Sequence, residues 1–358
     1  MPLPVPPPVL PMLAKRVDAL PAGAEWIFEP KWDGFRALVF RDGDDIYIQS
    51  RDAKPLARYY PELLEPLAAQ LPKRCVLDGE IVIVRDGILD FDALQMRLHP
   101  AESRVKMLSA KIPASMVFFD CLCEDDRDLR SAPFNERRLA LEKMLAKAKP
   151  PLHITPATHD RAVAADWFKR FEGAGFDGVM AKSPNGSYEP DKRVMLKIKH
   201  ERECDCVVAG FRWHKNGKGT HVGSLLLGLY DDEGRLQHVG VCASFTDAKR
   251  QELVKLLAPY RKNALDDHPW KDWASASEEM QRKPGAGNRW NAGKDMSWEP
   301  LRIERVAQVA YDHMQSGRFR HTAQFRRWRD DKQPGDCTFA QLEVVPPEEL
   351  AAIFATGR

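Results

Sequence analysis

No stretch of this 358-residue chain is apolar for long enough to cross a bilayer. The proline-rich start, residues 1–11, also lacks the charged-then-apolar order of a secretory signal. Both absences point away from a membrane and towards the cytoplasm. Cysteine is sparse and odd in number, at seven, which argues against a disulfide framework. Cys121/Cys123 and Cys204/Cys206 form C-x-C pairs in β-like runs, where alternation places both members on one face. No nearby Cys/His pair completes a tetrahedral set, so packing rather than metal binding is the expected role. Excess charge is lacking too. At a net +2, a nucleic-acid surface has to be local. No internal repeat is present.

What is there describes a soluble globular protein, 44% hydrophobic and 30% charged, too long for one ordinary core and expected to form two domains. Residues 1–25 read as an extended arm punctuated by proline. A hairpin follows, from Ala37–Phe40 through a turn at Asp42–Asp45 to Ile46–Arg51. Helical spacing marks Tyr60 to Leu71, Asn135 to Ala148 (an amphipathic surface helix), Ala162 to Gly173 and Asp247 to Tyr260, and Asp90 to Leu98 resembles a helix opening. From about Arg202 onward the pattern changes to short strands and turns, the signature of a small β-barrel, with a Gly-, Asn- and Lys-rich loop over Gln281 to Lys294.

Chemistry concentrates in the first half. Lys31 lies in Glu29-Pro30-Lys31-Trp32-Asp33-Gly34-Phe35-Arg36, directly after an apolar segment. A lysine amine becomes a nucleophile when desolvation or neighbouring cations hold part of it neutral. The other reading is a hydrated stem packed on a ring. Glu80 interrupts the buried-strand run Cys75 to Val84, where an acid needs a partner or a metal unless a bulge at Gly79 turns it to solvent. Asp177 is an acid of the same kind in the strand-like segment Gly175 to Lys182. Lys197 and Lys199 share one face of an alternating strand and either neutralise phosphate or form a solvated edge. Phe119, within a second acid-bearing strand run from Ala114 to Leu122, suits either a purine face or the core. Far downstream, Arg318, Arg320, Arg326, Arg327, Arg329 and Lys332 alternate with Phe319, Phe325 and Trp328, as a phosphate-binding surface or as a strand with its aromatics turned inward.

Taken in order, these motifs resemble the covalent nucleotidyltransferases, and within them the ATP-dependent DNA ligases. The nearest likeness is to stand-alone bacterial C-type ligases and to the ligase module of bacterial end-joining proteins. Lys31-Trp32-Asp33-Gly34 matches the family's K-x-D-G, which implies that Lys31 carries AMP. By the same resemblance Glu29 reads the adenine edge, and Arg36 and Arg51 contact the nucleotide. Glu80 of Asp78-Gly79-Glu80 contacts ribose or metal, and Phe119 forms the lid on adenine. Asp177 to Lys182 matches the fourth motif, with Asp177 a metal ligand in place of the usual glutamate and Lys182 at the nucleotide. Lys197 and Lys199 hold the α-phosphate, while Arg329-Asp330-Asp331-Lys332 resembles the C-terminal motif, in which Arg329 and Lys332 orient pyrophosphate.

The resemblance implies an α+β fold: a nucleotidyltransferase domain of antiparallel sheets with flanking helices over residues 1–200, then an OB-fold β-barrel over 201–358. It implies ATP as co-substrate with Mg²⁺ or Mn²⁺, nicked double-stranded DNA as partner, and a role in DNA repair. The remaining expectations are a monomer, no membrane, separate repair polymerase or end-binding proteins, and a bacterial cytoplasm with nucleoid association during repair. It also implies a hinge near Lys199–Glu203. RNA ligation, mRNA-capping guanylyl transfer and a silent OB-fold binder are the alternatives. The missing four-cysteine zinc module and nicotinamide segment disfavour an NAD⁺-dependent ligase.

Overall fold

A computed structural model describes residues 3–342, apart from 24, 200, 273–296, 313 and 316. The loop expected over 281–294 lies outside the described residues, as does position 200 within the expected hinge. The chain divides into two compact units, the first running to Lys199 and the second from His200 to Val344. No helix among the described residues is long and apolar enough to cross a membrane.

The first unit is built on two sheets. A four-stranded sheet has the order Leu13–Val17, Arg193–Ile198, Val179–Lys182, Ile27–Pro30. A six-stranded sheet runs Leu152–Ile154, Ser115–Glu124, Arg74–Val82, Phe35–Asp42, Asp45–Ser50, with Arg127–Asp128 paired to Ser115–Glu124. The sheets are mixed, because Leu13–Val17 lies parallel to Arg193–Ile198 and Leu152–Ile154 parallel to Ser115–Glu124. Helices flank them where caps and spacing place them. Asp90 accepts from the Ala93 amide to open Phe91–Met96, and Asp160 accepts from the Ala162 amide to open Arg161–Arg170.

Several expectations change in the folded chain. The extended N-terminal arm is packed into the unit: Leu3, Val5, Val9 and Met12 are buried, and Gln49 exchanges two hydrogen bonds with the backbone of Val9. The helix Phe134–Met144 is not only a surface helix, since Arg137 and Arg138 are buried. Arg137 forms a two-point ion pair with buried Asp120, which makes its burial tolerable. Cys121 and Cys123 face different cores, because the register slips at Leu122: Leu77 opposes Cys121 while Val76 opposes Cys123. A second slip, at Phe119, sends Phe118 into the core while Phe119 lines a cavity. All seven cysteines are free and buried.

The second unit is OB-like. Its sheet runs Leu236–Cys242, Val222–Tyr230, Arg202–Trp213, Val306–Tyr311, Gln324–Trp328, with Glu299–Pro300 added beside Arg202–Trp213. Among the described residues it does not close as a barrel; an isolated bridge between Cys242 and Ala323 brings its edge strands together. The helix Asp247–Leu257, capped by Thr246, buries Leu253 and Leu257 against the sheet core. Cys204 and Cys206 share this core, their sulfurs 3.6 Å apart, as strand alternation requires.

Candidate active site

The segment that follows Ile27–Pro30 carries Lys31 from the small sheet to the large one. Its backbone is pinned on both sides: the Lys31 amide donates to Gly178 O (2.9 Å), and the Asp177 amide donates to Lys31 O (3.0 Å). Trp32 is buried, its ring 4.6 Å from that of Phe176 and its indole N–H donating to Thr155 Oγ1 at 2.8 Å. Gly34 then lets the chain pass close to the neighbouring strand, where a Cβ would lie 2.2 Å from Ile81 O. The motif's Trp and Gly thus fix where the lysine emerges.

Lys31 opens into a cavity of about 220 Å³. Arg36, Arg51, Glu80, Phe119, Lys182 and Lys197 also line it, so residues far apart in sequence converge there. Arg193 and the N-terminal wall Pro11–Ala14, which sequence reasoning missed, complete much of the rim. The alternation that singled out Lys197 and Lys199 extends back to Arg193 and was the available signal. Among its titratable linings, Glu80 stands against six cationic side chains. Lys197, Arg51 and Arg193 have no hydrogen-bond or ion-pair partner among the described residues. Such a cavity is matched to a polyanion.

Three ion-pair groups order this charge. Asp177 lies just ahead of the strand Val179–Lys182 rather than within it, and its Oδ2 accepts from Lys31 Nζ at 2.5 Å and pairs with Lys199 Nζ at 2.7 Å. Burial alone would raise the Asp177 carboxyl, but the two ammonium groups outweigh it and hold it below the usual carboxylate range. Glu29, behind the cavity, pairs with Lys182 at 2.8 Å and Arg138 at 3.4 Å. The Lys182 ammonium also lies 4.8 Å from the Phe119 ring centre. Arg36 grips buried Asp78 through two hydrogen bonds of 2.6 and 2.5 Å, and its guanidinium covers Phe119 at 4.6 Å.

Two further groups have displaced acidities. Burial pushes Glu80 up to about 7, opposed by Arg36 and Lys31. Lys197 is held below the ordinary lysine value by burial first, then by Lys199 and Lys31.

The chain also matches known proteins. A family model described as "ATP dependent DNA ligase domain" matches residues 11–199, more than half of the chain, and "ATP dependent DNA ligase C terminal region" matches residues 218–332. DNA ligase C2 of Mycolicibacterium smegmatis is 54% identical over 353 residues, covering 97% of each chain. The chain belongs to the ATP-dependent DNA ligases. DNA ligase C of Mycobacterium tuberculosis is likewise 54% identical, over 349 residues and 96% of each chain. A solved Lig E DNA ligase shares the fold at a TM-score of 0.54 and 16% identity, covering 89% of this chain and 99% of that one. This ligase is therefore an enzyme that uses ATP.

The second unit of the ligase holds the other expected site residues, Arg329 and Lys332, and they meet at one acid. Arg329 donates to Asp205 at 2.9 and 3.1 Å and to Asp331 twice at 2.8 Å, while Lys332 Nζ lies 3.4 Å from Asp205. Arg326 pairs with Glu201 and Glu203. Of the interleaved aromatics, Phe319 is buried and Phe325 and Trp328 pack against the core, so the inward-facing reading of that stretch holds for them.

Proposed function

We propose that this ligase seals nicks in double-stranded DNA through a Lys31–AMP intermediate, with the first unit as adenylation domain and the second as OB domain. The observation that carries the reading is the emergence of Lys31 into a cavity whose charged lining is six cations to one acid and which Phe119 also lines. In the first step Lys31 Nζ, after giving up a proton to solvent, attacks the α-phosphorus of ATP, forming a P–N bond as the bond to pyrophosphate breaks. Asp177, 2.5 Å from Nζ, orients the amine, and Lys197 with Lys199 spreads the charge that builds on the phosphoryl oxygens. Phe119 stacks on adenine, Lys182 meets its edge with Glu29 holding the lysine from behind, and Arg36 and Arg51 hold the ribose and phosphate side.

AMP then passes to the 5′-phosphate at the nick, and the 3′-hydroxyl attacks that end and releases AMP. Arg329 and Lys332 act in the first step, on pyrophosphate. Binding is dominated by backbone phosphates, is salt-sensitive and does not depend on sequence. The enzyme works as a monomer in the cytoplasm.

A divalent metal is typical of this family. No group of three or more His, Cys, Asp or Glu side chains among the described residues forms a metal cage. That donor set fits Mg²⁺ or Mn²⁺ carried largely by substrate phosphates, with Glu80 as the protein carboxylate, since Mg²⁺ is commonly held by one or two carboxylates plus phosphate. Asp177 enters that set only by giving up its lysine partners. When bound, the metal supplies charge neutralisation on the phosphates.

The test is covalent labelling. Protein incubated with Mg²⁺ and α-labelled ATP, GTP or NAD⁺ is denatured and assayed for label on the chain. Label from ATP alone, lost in Lys31→Ala, is the expected result. Label from GTP would transfer the reading to capping chemistry, and label retained in Lys31→Ala would remove the nucleophile.

A further inference from the structure

Tyr188 lies outside every motif used above, yet its hydroxyl is the joint between two walls of the nucleotide cavity. The side chain is buried at 3% exposure. Its O–H donates to Asp78 Oδ2 at 2.6 Å, and the same oxygen accepts the Met12 amide at 3.1 Å. Asp78 is fully buried and spends both carboxylate oxygens on the Arg36 fork. Arg36 in turn lies over Phe119 and lines the cavity, and Met12 lines it too.

A carboxylate that holds an arginine fixes it only as well as the carboxylate itself is held. Two Arg36 hydrogen bonds set the plane shared by the fork and the acid but leave the pair free to tilt together. A third bond, from a phenol seated in the core, removes that freedom. The hydroxyl can serve both neighbours because it offers one donor and two acceptor positions. The backbone amide of Tyr188 donates to Arg130 O at 2.7 Å, so the ring is anchored independently of the cavity.

We propose that Tyr188 is a positioning residue for self-adenylation, locking the Asp78–Arg36 pair and the Met12 wall into the arrangement that receives ATP. This rests on reading the cavity as the nucleotide site. Tyr188→Phe keeps the ring and leaves Asp78 still paired with Arg36, so the fold is retained, as a melting temperature within a few degrees of the parent would show.

The experiment is a double-mutant cycle on self-adenylation, with Tyr188→Phe, Arg36→Ala and the pair, ATP being varied. Tyr188→Phe alone raises the KM for ATP about fivefold with kcat changed less than about twofold, the size of one lost positioning hydrogen bond. In the Arg36→Ala background the same substitution adds nothing, because the residue acts through Arg36. Asp78→Asn also raises KM and is likewise non-additive with Tyr188→Phe. An unchanged KM in Tyr188→Phe, full additivity in the double variant, or failure of Tyr188→Phe to fold would each overturn the proposal. Arg36→Ala with unaltered ATP kinetics would instead overturn the assignment of the cavity to nucleotide.

Discussion

The two units leave different shares of their motif cations unpaired, although Lys31, Lys182, Lys199 and Arg36 in the first are themselves held by acids. In the first, Lys197, Arg51 and Arg193 enter the cavity with no partner among the described residues, so their charge is available to an incoming polyanion. In the second, Arg329 and Lys332 converge on Asp205, Arg329 is held again by Asp331, and Arg326 is held by Glu201 and Glu203. A basic motif in the sequence therefore does not mean free positive charge in the fold. The cavity is built to attract phosphate on arrival. On the proposed reading, the C-terminal motif exchanges carboxylate partners for phosphate before it acts, and that exchange makes it dependent on a competing ligand.

Breaking the cavity side has the largest effects. Lys31→Ala abolishes both self-adenylation and nick sealing, by at least about 10³-fold, with circular dichroism unchanged. Surviving ligation would remove Lys31 from the chemistry. Lys197→Ala deletes a cavity charge that makes no direct ion pair among the described residues, and self-adenylation falls by about 10²-fold. A loss no greater than that of a distant surface lysine would show that the unpaired charge is idle.

The C-terminal side breaks selectively. Lys332→Ala lowers self-adenylation about tenfold and leaves sealing of a pre-adenylated nick within about twofold. Equal loss in both assays would place the motif in DNA binding rather than in ATP chemistry.

The smallest effects are on stability against pH, and they carry opposite signs in the two units. His238 is buried, and burial, then Arg318 and Arg212, lowers it from 6.5 to about 3. Between those values the unfolded chain binds a proton that the native one does not, so stability falls as pH drops, by on the order of a few kcal/mol at most. Glu80 is raised from 4.5 to about 7, so its contribution is full below 4.5 and is lost as pH rises through 7. Relative to the parent, lowering the pH from 7 to 4 should shift the urea midpoint upward in His238→Phe and downward in Glu80→Gln. The reverse pattern would mean that neither group is buried as described.

Much of this molecule was legible in its residues, because local rules fix local outcomes. Strand alternation placed Cys204 with Cys206. Caps at Asp90 and Asp160 opened the expected helices. The ordered motifs from Lys31 to Lys197 named residues that do line one cavity, since strands carry side chains to a common face at fixed spacing. Other features depend on which strands become neighbours. A slip at Leu122 separates Cys121 from Cys123, and a parallel pairing turns the N-terminal arm into a cavity wall. The charge on Lys31 has Asp177 as its partner, and the charges on Arg329 and Lys332 have Asp205. Sequence supplied the charged groups and their order. Tertiary structure alone decided which of them meet, because an ion pair depends on separation in space, and the separations along the chain here run from tens of residues to well over a hundred.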